Sequence, residues 1–150
     1  MTENDSDTHI PISTSGKVRY VDKKDIIHFP EGMLGFSEHT EYVIFDITDC
    51  KPFKSMLSVK EGGPDFVLVE PLLLFDDYSP LDSFPSLKDM QLGNTVELTV
   101  LSIVTLAEKP EDMTVNLRGP ILLNLSTRMA KQVVLPDDNY STKNPLLVKN

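Results

Sequence analysis

Apolar and polar residues alternate along much of the chain with a period of two, which is typical of β-strands whose two faces meet different surroundings. The clearest alternation lies at 42–47, 53–59 and 95–107, and shorter strand candidates lie at 17–21, 26–29, 65–70 and 132–135. In the second half of 95–107, aliphatic residues occupy both phases of the alternation. This half is therefore predicted to be buried on both faces.

A further pair of short apolar runs, at 113–118 and 121–125, is joined by an Arg-Gly-Pro sequence. Glycine and proline interrupt sheet ladders, so the pair predicts two strands connected by a turn. Three polar residues lie within these runs, namely Asn116, Arg118 and Asn124. We expect them to satisfy main-chain groups at the turn rather than to contact a partner.

Helix signals are few. Residues 36–40 are compatible with a helical turn, and a weak capping pattern predicts a short helix beginning near Ser86. Eight or nine short strands separated by Gly, Pro and Asx turns predict an all-β fold, a small antiparallel, partly open β-barrel-like domain with at most one or two short helices. A parallel α/β fold is not expected because the crossover helices that it requires are missing.

Residues 1–15 are rich in Thr, Ser, Asp and Asn, and we expect them to form a flexible polar tail that does not contribute to a core. Residues 16–150 then form one β domain, since a chain of this length is the size of a single domain. Hydrophobic residues make up 40% of the chain and charged residues 25%, which is ordinary for a globular protein.

The net charge of −9 disfavours direct binding to nucleic acid, because such binding relies on cations placed against phosphates. It favours a basic protein partner instead. Cys50 is the only cysteine, so no intramolecular disulfide can form. The N-terminus lacks a basic segment followed by an apolar one, and no apolar run approaches the roughly 20 residues that span a membrane. These features together predict a cytoplasmic protein without membrane contact.

Catalytic and metal-binding patterns are weak. The histidines, His9, His28 and His39, are scattered without metal-ligand spacing, so neither a metal nor a cofactor is expected. Adjacent carboxylates occur at 76–77, 111–112 and 137–138. Neighbouring residues in a strand point to opposite faces, and in turns such pairs are usually solvated, so we do not expect an enzyme. A small β-barrel hydrolase using a carboxylate pair is the competing interpretation.

Several loops contain large apolar residues, namely Met33, Leu34, Phe36, Leu73, Leu74, Phe75 and Tyr78. In a compact domain such residues more often close the ends of a barrel, but together they can also form a patch for a partner. The best case for a patch is 72–78, where apolar residues directly precede two acids. That combination suits an amphipathic helix that carries basic residues.

Four segments, at 27–36, 70–78, 114–124 and 132–135 with Tyr140, resemble in their order and spacing the flagellar assembly factor FliW family. Ile27-His-Phe-Pro-Glu-Gly-Met-Leu-Gly-Phe36 resembles that family's Phe-Pro and Gly-x-x-Gly-Phe opening, and Glu70-Pro-Leu-Leu-Leu-Phe-Asp-Asp-Tyr78 resembles its Asp-Pro and Asp-Tyr segment. The segment at 114–124 is similar to its Asn-Leu and Pro block, and 132–135 with Tyr140 is similar to its ending. Glu70 stands where the family often has Asp, which keeps the charge.

The resemblance implies a non-enzymatic cytoplasmic regulator that binds flagellin and, alternatively, the translational regulator CsrA, relieving CsrA repression of flagellin translation. We hypothesise that Glu70, Asp76 and Asp77 face the basic regulator. Leu74, Phe75 and Tyr78 would then form part of a protein-binding surface. A monomer is favoured, although edge strands of an open barrel could pair between subunits.

Two further functions are compatible with a small β domain of this kind. One is a structural adaptor with some different partner, which the residues alone do not separate from a flagellar regulator. The second is an oligonucleotide-binding barrel, although the chain lacks the basic groove that such a barrel uses to follow a nucleic-acid backbone.

Overall fold

The computed structural model describes residues 8–14, 17–80, 98–136 and 140–146. Within these ranges the chain forms eleven β-strands: β1 His9–Thr14, β2 Lys17–Asp22, β3 Ile27–His28, β4 Glu41–Asp46, β5 Lys54–Ser58, β6 Asp65–Val69, β7 Leu98–Thr105, β8 Thr114–Val115, β9 Ile121–Asn124, β10 Met129–Gln132 and β11 Asn144–Pro145. The strands agree with most of the predicted segments, and the fold is all-β as expected.

Seven of these strands close into a barrel in the order β7, β6, β5, β4, β3, β10, β9 and back to β7. Neighbours are antiparallel except β3 and β10, which pair in parallel through His28 and Met129. Closure depends on the eight-residue strand β7, because its first half pairs with β9 and its second half pairs with β8 along the same edge. The barrel predicted as partly open is therefore closed.

The barrel interior is filled by a cluster that we call the inner core, which includes Tyr42, Met56, Leu68, Leu101, Ile121 and Leu123. The loop after β3 closes one end of the barrel with Phe29 and Met33, whose side chains are 0% and 2% exposed. The Phe29 ring meets the Tyr42 ring edge-on at 5.1 Å between centroids. Met33 thus confirms that a loop hydrophobe closes an end, whereas Leu34 is 59% exposed.

Two further layers cover the outside of the barrel. The β1–β2 hairpin packs Ile12 and Val21 against Val43 and Leu57 of β4 and β5. A larger cluster, which we call the outer core, lies against the outer face of β7 and contains Val69, Tyr78, Val100, Val104, Val115, Leu117, Leu122, Val133, Leu135 and Leu146. Strand β7 contributes alternate side chains to the inner and outer cores, which confirms the predicted burial on both faces as far as Val104, whereas Thr105 and Leu106 are exposed.

The structure differs from the predicted polar tail at residues 9–14. Residues 9–14 form β1, which pairs with β2 over six residue pairs, and Ile12 is only 2% exposed. The expectation that residues 1–15 contribute nothing to a core is therefore wrong at these positions. The physical reason is the alternation of Ile10 and Ile12, which supplies one apolar face despite the surrounding Thr and Ser residues. Residues 1–7 lie outside the described ranges.

The strand predicted at 132–135 lies earlier, at Met129–Gln132. Val133 and Leu135 are buried, but their N–H groups donate to the Pro120 and Arg118 carbonyls of a loop, at 2.9 and 2.8 Å, rather than to a strand. The helical turn expected at 36–40 is instead a series of turns. The helix expected near Ser86 lies outside the described residues.

Asn116 acts as predicted at the Gly-Pro turn, and Asn124 satisfies main-chain groups at a different turn. The Asn116 side-chain oxygen accepts hydrogen bonds from the N–H groups of Arg118 (3.1 Å) and Gly119 (2.8 Å). The Asn124 side-chain oxygen likewise accepts from Ser126 (2.9 Å) and Thr127 (3.2 Å) in the β9–β10 turn. Both amides therefore satisfy main-chain groups where the strands end.

Candidate protein-binding surfaces

Residues 70–78 follow β6 and form a surface turn that we call the acidic leucine turn. Pro71 ends the strand because its nitrogen carries no hydrogen for the sheet, and a 3₁₀ turn begins there at Pro71–Leu73. The Pro71 carbonyl accepts hydrogen bonds from the N–H groups of Leu74 (3.0 Å) and Phe75 (2.9 Å). The turn is therefore ordered by its own main chain.

Three consecutive leucines of this turn face solvent. Leu72, Leu73 and Leu74 are 47%, 70% and 39% exposed, while Phe75 is half-buried against the outer core. Single exposed hydrophobic residues are common, but adjacent ones create a contiguous apolar patch of the kind that marks contact with another protein. The arrangement fits the predicted surface at Leu74, with Phe75 fixing the turn to the domain.

Tyr78 does not lie on this surface. Its side chain is 4% exposed, its hydroxyl donates to the Leu117 carbonyl at 2.5 Å, and its ring meets the Tyr140 ring edge-on at 4.9 Å. Burial raises the pKa of Tyr78, an effect that the Ser102 hydroxyl partly opposes. The prediction that Tyr78 belongs to a partner-binding surface is therefore wrong, because the outer core needs its ring as a buried anchor.

The carboxylates of the turn have no cation beside them in the described part of the chain. Asp76 and Asp77 are exposed, Glu70 is half-buried, and among the described residues none of the three forms an ion pair. These uncompensated carboxylates flank the exposed leucines on both sides. This part of the chain can therefore offer apolar contact and negative charge to the same partner.

A second candidate surface is concave and lies at the barrel end opposite Phe29 and Met33. We call it the barrel-mouth groove; it has a volume of about 710 Å³ and is lined by ends of β3, β4, β5, β7 and β9, by the β1–β2 hairpin, and by Glu70. Its lining includes Tyr20, Ile44, Lys54, Leu123 and Arg128. The sequence pattern does not reveal this groove, since its residues are far apart in the chain and share no local periodicity.

Within the described ranges, few side-chain arrangements resemble those of an enzyme active site. No group of three or more His, Cys, Asp or Glu residues there could hold a metal ion. His39 contacts the Ser58 hydroxyl at 2.9 Å, but that hydroxyl also donates to the Lys60 carbonyl at 3.1 Å, as a structural side chain would. The carboxylate pair at 111–112 is exposed on a 3₁₀ turn, and the pair at 137–138 lies outside the described residues.

No helix within the described part of the chain is long and apolar enough to cross a membrane.

Residues 12–146 match the family model described as FliW protein. The chain is 37% identical over 128 residues to the flagellar assembly factor FliW of Leptospira biflexa, covering 85% of this chain and 84% of that protein. It is 35% identical over 127 residues to the protein of the same name from Bacillus subtilis, covering 84% and 88%.

Comparison with a solved structure indicates the same family. The crystal structure of a flagellar assembly factor FliW superposes with a TM-score of 0.83 at 31% sequence identity, covering 93% of this chain and 99% of that one. This protein therefore belongs to the FliW family of flagellar assembly factors.

Proposed function

We propose that this protein is a non-enzymatic cytoplasmic assembly factor that binds flagellin and, as an alternative partner, a CsrA-type translational regulator. Binding to the regulator would relieve its repression of flagellin translation. Accumulated flagellin would then occupy the protein, free the regulator and reduce flagellin synthesis. The proposal is supported by membership of the FliW family, and the single observation that carries it is the acidic leucine turn.

The acids of this turn suit the regulator. A protein that represses translation by binding RNA must present Lys and Arg side chains to phosphates. Asp76 and Asp77 are exposed and form no ion pair among the described residues, so their charge is available to such cations. The net charge of −9 would also speed the encounter by long-range attraction.

The apolar side of the proposal concerns flagellin. Its terminal regions are amphipathic helices, and such helices bind by laying their apolar face against an apolar surface of a partner. Leu72, Leu73 and Leu74 provide one such surface, and the barrel-mouth groove provides another. Neither surface requires a metal, a cofactor or a reactive side chain.

Isothermal titration against purified co-resident flagellin and, separately, against the CsrA-type regulator tests the proposal. The informative variant is Asp76→Lys with Asp77→Lys. Its matched control is Glu111→Lys with Asp112→Lys, which reverses another exposed adjacent pair and changes the net charge by the same amount.

We expect the wild-type protein and the control to bind both partners. The Asp76 and Asp77 variant should lose regulator affinity about tenfold or more, since charge pairs at a protein interface contribute on the order of 1.5 kcal/mol or more. Circular dichroism would establish that all proteins remain folded. Equal losses in both charge-reversal variants would show that only net charge matters, and no heat with either partner would contradict the proposed function.

A further inference from the structure

Among the described residues a loop covers one end of the barrel, the closed end, and none covers the other, the open end, although interior positions are apolar at both. At the closed end Phe29 and Met33 cover Tyr42 of β4, and Phe36 meets Phe66 of β6 at 5.9 Å between ring centroids. At the open end no comparable loop of the described chain enters, and the groove of about 710 Å³ remains. That volume falls within the roughly 300–1,000 Å³ that is typical of ligand-binding pockets.

The barrel-mouth groove has apolar side chains both at its buried base and at its exposed edge. Ile27, Leu101 and Leu123 are inner-core residues that are 2–3% exposed, and Ile44 is half-buried beside them. Two large side chains at the groove remain open to solvent: Tyr20 is 70% exposed and Leu125 is 50% exposed. An occupant with aliphatic side chains would therefore remove additional apolar surface from water.

Most charged side chains on the rim of the groove lie beside an opposite charge. Lys54 lies 2.7 Å from Asp46, while Arg128 and Lys24 each lie 3.8 Å from an acid, Asp25 and Asp22 respectively. Glu70 also lines the groove, and among the described residues it has no ion-pair partner. The groove thus combines exposed apolar side chains with one carboxylate that has no ion-pair partner among the described residues, which favours an occupant that carries a positive charge.

We propose that the barrel-mouth groove is a docking site for an amphipathic segment of a partner protein. That segment would place aliphatic side chains against Tyr20, Ile44 and Leu125 and one Lys or Arg against Glu70. This inference rests on the proposed function, in which it assigns the groove to flagellin rather than to the CsrA-type regulator. The groove suits flagellin because it exposes the large side chains of Tyr20 and Leu125 and its rim cations are already paired, whereas the regulator's many cations match the acids of the turn.

Glu70 belongs to both surfaces. Its side chain lines the groove, while its carbonyl accepts the N–H of Leu73 at 3.1 Å at the start of the acidic leucine turn. A partner cation bound to Glu70 from the groove would withdraw that carboxylate from a partner on the turn. The shared residue thus gives a physical reason for two partners with different surfaces to exclude each other.

The test is titration of the full chain with purified co-resident flagellin and with the regulator, using the double variant Tyr20→Ser, Leu125→Ser. The control is Leu106→Ser, which truncates a 58% exposed side chain outside the groove. Thermal unfolding of each variant would establish that it is folded. We expect the double variant to bind flagellin about tenfold or more weakly, as truncation of central interface residues does, with the control and regulator affinities unchanged.

The possible failures are distinguishable. Flagellin binding by the wild-type protein that the double variant retains in full would overturn the groove assignment and leave the proposed function intact. Absence of flagellin binding by the wild-type protein would overturn both. Self-association of the free wild-type protein that the double variant abolishes would assign the groove to a second copy of this chain and would also overturn the inference.

Discussion

The Tyr78 hydroxyl donates a hydrogen bond to the main-chain carbonyl of Leu117, a residue 39 positions away in the chain. This contact joins the end of the acidic leucine turn to the loop after β8. The turn displays its leucines and acids at a fixed place because one of its last residues is buried in the outer core. Tyr78 therefore supports the candidate surface from below.

Replacement of Tyr78 by Phe should lower stability without directly removing a partner contact. The Leu117 carbonyl would lose the hydroxyl in a buried environment, which costs about 1–3 kcal/mol. Urea unfolding followed by circular dichroism would measure the loss. Tyr140→Phe is the control, since its hydroxyl accepts the exposed Ser79 N–H at 3.2 Å and should contribute less. Unchanged stability together with lost partner affinity would instead indicate that Tyr78 contacts the partner.

Replacement of Tyr42 by Phe should not lower stability, in contrast to replacement of Tyr78 by Phe. The Tyr42 hydroxyl is buried and has no hydrogen-bond partner within the described ranges, so its removal relieves a desolvation penalty. The ring itself, which meets Phe29 edge-on at 5.1 Å, would remain. We expect the free energy of unfolding at neutral pH to be unchanged or higher. A loss like that of Tyr78→Phe would show that the Tyr42 hydroxyl has a bonding role.

Alkaline stability provides a separate test of the same residue. Burial raises the pKa of Tyr42 to about 12, whereas an unfolded tyrosine has a pKa of about 10. Because the folded-state pKa is the higher one, Tyr42 ionises first in the unfolded state, which lowers the free energy of unfolding progressively as the pH rises from about 10 to 12. Tyr42→Phe should therefore lose less stability across this range than the wild type. Parallel unfolding curves for both proteins would contradict the assignment.

The closed end of the barrel depends on Gly32. Its φ is +67°, and an added Cβ would lie 2.6 Å from the Phe36 carbonyl oxygen and 2.7 Å from the Ser37 Cα. Gly32→Ala should therefore cost about 2 kcal/mol or more, since the left-handed conformation alone costs roughly 1–2 kcal/mol. Gly35→Ala is the matched control, because Gly35 also has a positive φ, +86°, but has open space around it. Equal thermal shifts would show that the close contacts do not matter.

Local alternation accounts for the parts of the fold that the sequence predicts correctly. Strands β4, β5, β6 and β7 each carry a clear apolar face, and each lies within one or two residues of its prediction or inside a longer one. Strand β10 fails this rule, because Met129–Gln132 holds one small and two polar residues and its pairing is decided by neighbours β3 and β9. Barrel closure was also not predictable, since it arises from the double pairing of β7.

The candidate surfaces likewise differ in whether local sequence or contacts between distant residues determine them. The acidic leucine turn is contiguous in sequence, so Leu74, Asp76 and Asp77 could be recognised together. Tyr78 is contiguous with these residues in sequence, but it is buried and bonded to distant Leu117, which no local pattern indicates. The groove brings together residues from Tyr20 to Arg128, and no local pattern indicates such an assembly.

The central claim is the exchange of partners, and one measurement tests it directly. Labelled RNA from the flagellin leader would first be bound to the CsrA-type regulator, with fluorescence anisotropy as the readout. Addition of this protein should release the RNA, and subsequent addition of flagellin should restore RNA binding by drawing the protein away from the regulator. Failure of this protein to release the RNA, or of flagellin to reverse the release, would contradict the account.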